Sequence, residues 1–114
     1  MNASTVDPGT RQAVRAFMSA VVGQYPAVRA ILFGSRARGT AHSESDADVA
    51  VLLTGTTGPF IATKMALDDM AYDVLLETGI RIQPLPVWED EWAHPELYSN
   101  PQLLHNIASE GIAL

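Results

Sequence analysis

The sequence contains no cysteine, so disulfide frameworks, thiolate nucleophiles and cysteine-ligated metals are excluded. Positive charge is scarce and unevenly placed. Six of the seven basic residues stand at or before Lys64, and Arg81 is the one cation beyond it, whereas nine of the thirteen acids lie at or after Asp68. With a net charge of -6 concentrated in that half, the chain would repel a polyanion, so stable nucleic-acid binding is not expected. Long hydrophobic runs are also missing. The longest, such as Val49 to Leu53, fall far short of the roughly 18 residues of a membrane span, and "MNASTVDPGT" lacks the basic and apolar segments of a secretory signal. No membrane association is expected, and the cytoplasm is the expected compartment.

What is present suits one folded domain. The 114 residues fit a single core, and 47% hydrophobic with 18% charged residues is too apolar for disorder. Asp7 and Pro8 resemble a helix start, and Val14, Phe17, Met18, Val21 and Val22 predict a helix over about 8–24 that buries this stripe before Tyr25 and Pro26 end it. "AVRAILF" and "ADVAVLL" read as strands, the second apolar enough to be covered on both faces. Phe60, Ile61, Met65, Leu67, Met70, Ala71, Val74 and Leu75 predict a core-facing helix that stops near Gly79. "GIRIQPLPV" reads as a third strand, short or at an edge because Pro84 and Pro86 cannot donate to a ladder. Trp88 to Ala93 form a short acidic helical turn, and Asn100 and Pro101 open a last helix that ends at Gly111. The order α-β-α-β-α-β-α predicts an α/β (α+β) fold, a small mixed β-sheet packed by helices, with strand order left open.

The chemistry concentrates in "LFGSRARGTAHSESDADVAVLL". Asp46 and Asp48 are two apart at a strand start, so their carboxylates converge while Ala47 points to the core. Converging acids repel, and a hard divalent cation such as Mg²⁺ is the natural counter-ion. Gly34 and Ser35 end the preceding strand in a turn whose amides and hydroxyl suit phosphate oxygens. Each half alone is commonplace: a bare DxD most often caps backbone or faces water, and Gly-Ser is an everyday turn. The P-loop spacing fails, since Thr40 stands where the lysine is needed. Arg36 and Arg38 lie where a guanidinium meets a phosphate or balances the aspartates; surface and partner contacts are the alternatives. His42, Ser43, Glu44 and Ser45 read as exposed loop, and Trp88, Trp92 and Tyr98 as partly buried against the sheet.

Gly-Ser, ten residues, then Asp-x-Asp resembles the signature of the DNA polymerase β-like nucleotidyltransferase superfamily, most closely its minimal nucleotidyltransferase (MNT) members. "AILFGSRARG" and the closing "NIASEGIAL" are also similar to that group, and the resemblance runs from about Val28 onward. It implies that residues 1–114 form a single minimal nucleotidyltransferase domain. The resemblance further implies transfer of a nucleoside monophosphate to a hydroxyl, with Gly34 and Ser35 on the β- and γ-phosphates and Asp46 and Asp48 as ligands of Mg²⁺ or Mn²⁺. Relatives carry a third carboxylate on a later strand; the matching strand here offers Gln83, which is neither an anion nor a base at neutral pH.

The resemblance narrows further to the MNT antitoxins paired with HEPN-domain ribonuclease toxins, which implies ATP as substrate and a tyrosine hydroxyl of the toxin as acceptor. The chain lacks the helical domain with which larger relatives grip base and acceptor, a part that the partner is expected to supply. The alternative is a catalytically weak or silent nucleotide-binding module that neutralises or scaffolds its partner by contact. Oligomeric state, self-association included, stays open.

Overall fold

The computed structural model describes residues 6–42 and 44–114; the opening segment before Val6, and Ser43, lie outside the described residues. The first helix, α1 (Pro8–Val22), is capped by Asp7, whose carboxylate accepts from the Thr10 amide at 3.0 Å and the Thr10 hydroxyl at 2.5 Å. Its buried face is Thr10, Ala13, Val14, Phe17 and Val21. Val22, expected in that stripe, is 58% exposed, one position past the buried face that Thr10, Ala13, Val14, Phe17 and Val21 define.

Among the described residues, the sheet has four strands in the order β3-β2-β1-β4. Strands β1 (Ala27–Phe33) and β2 (Ala47–Leu53) fall where expected and pair antiparallel. Strand β3 (Ile82–Trp88) lies parallel to β2, which requires a crossover, and α3 (Phe60–Thr78) provides it. Gly79, at φ 77°, ends α3 by donating to Leu75 O at 2.8 Å. As the prolines demanded, β3 is an edge.

Side chains alternate along β2. Ala47, Val49, Val51 and Leu53 join Phe17, Val21, Leu67 and Val74 in the core beneath α1 and α3. Ala50 and Leu52 join Ile31, Val87, Tyr98, Leu104 and Ile107 in a second core on the other face, beneath α5 (Pro101–Glu110). Between β3 and α5 lie a short α4 (Glu89–Ala93), capped by Glu91 Oε1 on the Trp88 amide at 3.0 Å, and a 3-10 turn at Pro95–Leu97. Trp88 and Tyr98 are buried and Trp92 half-buried.

Two expectations need correction. Past Gly111 the chain forms β4 (Ile112–Ala113), antiparallel to β1, with Leu114 donating to Ala30 O at 3.0 Å. Two residues are too few for a periodicity to register. In α3, Ile61 and Met65 are 68% and 63% exposed rather than core; the buried residues are Thr63, Leu67, Met70, Ala71 and Val74. Among the described residues, no helix is long and apolar enough to cross a membrane.

Candidate functional site

Antiparallel pairing brings the end of β1 to the start of β2: Phe33 is the register partner of Asp48, so Gly34 follows directly beside that aspartate. Gly34 has φ 75°, ψ -157°, which glycine alone adopts readily, and a Cβ there would collide with Asp48 Oδ2. The chain then winds into α2 (Ser35–Arg38), closed by Gly39 at φ 76°. A helical segment's first amides have no acceptor within the helix, so the Gly34–Ser35 turn leaves backbone donors close to Asp48.

Asp48 lies half-buried on the α5 side of β2, Ala47 is fully buried on the other, and Asp46 is exposed just before the strand. In the parallel register Asp48 stands beside Gln83, whose Nε2 donates to Asp46 Oδ2 at 3.3 Å. Asp46, Asp48 and Gln83 therefore meet at one end of the sheet, next to Gly34 and Ser35. Burial, then the neighbouring Asp46, push the Asp48 carboxyl above the ordinary aspartate range, and Arg38 partly offsets them.

The two arginines separate sharply. Arg36, expected at the phosphates, is buried and turned away: Nε donates to Ser45 O at 2.8 Å and Nη1 to Thr10 Oγ1 at 2.9 Å, with Asp7 Oδ1 3.7 Å from Nη1. It ties the loop before β2 to the start of α1, because a buried guanidinium needs acceptors and Ser45, Thr10 and Asp7 supply them. Arg38 is exposed at the mouth of the site, 3.8 Å from Glu110 Oε2. A depression of about 300 Å³ is lined by Gly34, Arg38, Asp48 and, from α5, Asn106 and Glu110. Sequence reasoning missed those last two, which reach the acids only through the packing of α5. His42 and Glu44 are exposed, and Ser45 is half-buried with its carbonyl taken by Arg36.

Among the described residues, no group of three or more His, Cys, Asp or Glu could hold a metal ion. The donor set at the sheet end is two carboxylates and one side-chain amide. These are hard oxygen donors, whose mutual repulsion a divalent cation would relieve, with water or phosphate oxygens filling the remaining positions. They fit Mg²⁺ or Mn²⁺, which Asp46 and Asp48 would hold.

No curated protein matches the chain. Among solved structures, the chain is similar to a Sulfolobus solfataricus protein classed with the nucleotidyltransferases: 19% identity, 75% of this chain and 78% of that one covered, TM-score 0.48. A family model described as a nucleotidyltransferase domain matches residues 14–100, a span that holds Gly34, Ser35, Asp46, Asp48 and Gln83. The chain therefore belongs to the nucleotidyltransferase domain family.

Proposed function

We propose that the protein is a nucleotidyltransferase-type antitoxin that transfers AMP from ATP to a hydroxyl, a tyrosine by preference, on a partner HEPN ribonuclease toxin in the cytoplasm. The observation that carries this reading is the juxtaposition of the Gly34 turn with Asp48, a carboxylate that a sheet strand holds in place, both lining the depression of about 300 Å³. In the reaction the acceptor oxygen bonds the α-phosphorus, the bond to the β-phosphate breaks, pyrophosphate leaves, and the hydroxyl proton passes to solvent. Asp46 and Asp48 would hold a divalent cation, which would neutralise charge on the triphosphate and lower the pKa of the attacking hydroxyl. The Gly34–Ser35 turn seats the β- and γ-phosphates, and Arg38 adds a cation at the mouth.

The test is to incubate the protein with ATP, Mg²⁺ and the product of the adjacent gene, and to read the mass of the intact partner. One added AMP that disappears with Asp46→Asn and with Asp48→Asn supports transfer. A specific observation favours a second reading, a nucleotide-binding module that neutralises its partner by contact: Gln83 donates to Asp46 where relatives carry a third acid. Tight ATP binding and complex formation without added mass would select that reading.

A further inference from the structure

Helix α3 has two apolar faces where a surface helix needs one. Leu67, Met70, Ala71 and Val74 enter the core. On the opposite side Ile61, Met65, Tyr72 and Leu76 are 68%, 63%, 57% and 68% exposed. Their spacing of four, seven and four residues places them within one narrow stripe along the helix. Monomeric proteins seldom leave four large apolar side chains on one helix face open to water unless something covers them.

The edges of the stripe say what kind of occupant fits. Asp69, Asp73 and Glu77 are all exposed and form an i, i+4, i+8 row along one side. On the other side Lys64, the helix's one cation, is held by Asp68 at 2.6 Å. A second copy of this chain is a poor occupant. A two-fold contact through the stripe would set the acidic row against its own copy or against Asp68, like charge on like. An apolar surface rimmed by lysine or arginine satisfies both features.

The stripe also borders a cleft that shares one residue with the surroundings of the acids. Tyr72 belongs to it and at the same time lines a cleft of about 290 Å³, together with Asp68, Leu75, Arg81 and Gln83. Gln83, part of that lining, is the residue whose side-chain amide donates to Asp46. We propose that the outer face of α3 is the docking surface for the acceptor protein. The occupant presents an apolar helix face rimmed by basic side chains, and its reactive hydroxyl reaches the acids along the Tyr72–Arg81–Gln83 cleft. This rests on the reading that the acceptor is a protein.

Two variants test it, both confined to exposed positions: Met65→Glu with Leu76→Glu, and Asp69→Lys with Asp73→Lys. Each is checked for an unchanged thermal melt and unchanged ATP binding, then titrated by calorimetry with the partner ribonuclease at low and moderate salt. Both variants are expected to weaken the complex by about tenfold or more, as loss of central apolar anchors or complementary charge does. Wild-type affinity is expected to fall with salt, and the charge-reversed variant to lose that dependence.

Affinity within twofold of wild type for both variants overturns the proposal, as does AMP transfer that neither variant diminishes. Sedimentation showing a wild-type homodimer that Met65→Glu with Leu76→Glu dissolves also overturns it, assigning the face to a second copy. If the wild type forms no complex, docking and partner assignment fall together. A complex that the variants loosen, without any transfer, keeps the docking face and removes only the transferase reading.

Discussion

Asp48 Oδ2 occupies the space that a Cβ on residue 34 would need, so the turn and the strand are fitted to each other through the absence of one carbon atom. The fit follows from register: Phe33 pairs with Asp48, and the next residue must turn away at φ 75°. Gly34→Ala is expected to cost about 1 to 3 kcal/mol from the left-handed backbone and the collision together. Divalent-cation affinity should fall with it, because Asp48 must move. A melt and a Mn²⁺ titration check both; an alanine variant equal to wild type in each would remove the argument for this turn.

Arg36 and Arg38 should part company on mutation. Arg36→Met leaves Ser45 O and Thr10 Oγ1 without their buried donor, so a loss of about 2 to 4 kcal/mol is expected in denaturant unfolding. Arg38→Met, at an exposed pair with Glu110, should change stability by less than about 0.5 kcal/mol and weaken ATP binding by about tenfold. The reverse assignment of effects would return Arg36 to the phosphates.

Gln83→Glu places a third acid beside Asp48 and within reach of Asp46. Without metal, three carboxylates at one sheet end should lower the melting temperature at neutral pH; Mg²⁺ should restore it and bind more tightly than to wild type. If the reaction is limited by the missing base, transfer should rise by about 10² or more. A variant with unchanged metal affinity and unchanged rate would show that position 83 lies outside the reacting centre.

The two perturbed aspartates give opposite pH signatures. Asp7 is held below its ordinary value, first by the Thr10 hydroxyl and also by Arg36, so its stabilising contribution is present above pH 3.8 and is lost as pH falls through the lowered folded value. Asp48 is raised, so the folded state binds its proton more tightly and stability declines as pH rises from 3.8 through the folded value. Asp48→Asn should therefore melt higher than wild type near neutrality, lose that advantage in acid, and fail to bind Mn²⁺. A melt unchanged between pH 5 and 8 relative to wild type would contradict the raised carboxyl.

The sequence by itself determined most of the local elements and the loop that carries Gly34, Ser35, Asp46 and Asp48. β1 and β2 were readable to the residue because each is a short apolar run bounded by glycine, proline or acids, and α3 because Gly79 supplies its stop. Gly34, Ser35, Asp46 and Asp48 were legible because their spacing is local to one loop, whose ends antiparallel pairing must bring together. Tertiary structure decided whatever depends on distant partners. Arg36 and Arg38 are near neighbours in sequence, yet one is buried because α1 offers Thr10 and Asp7, while the other stays at the mouth because α5 offers Glu110. Ile61 and Met65 have the same helical period as the core residues, and only the docking of α3 on the sheet shows which of its two apolar faces the protein keeps for itself. Periodicity records that a side chain is apolar. What covers it depends on where the rest of the chain lies, and hydrophobic contact is not directional enough for the pattern alone to say.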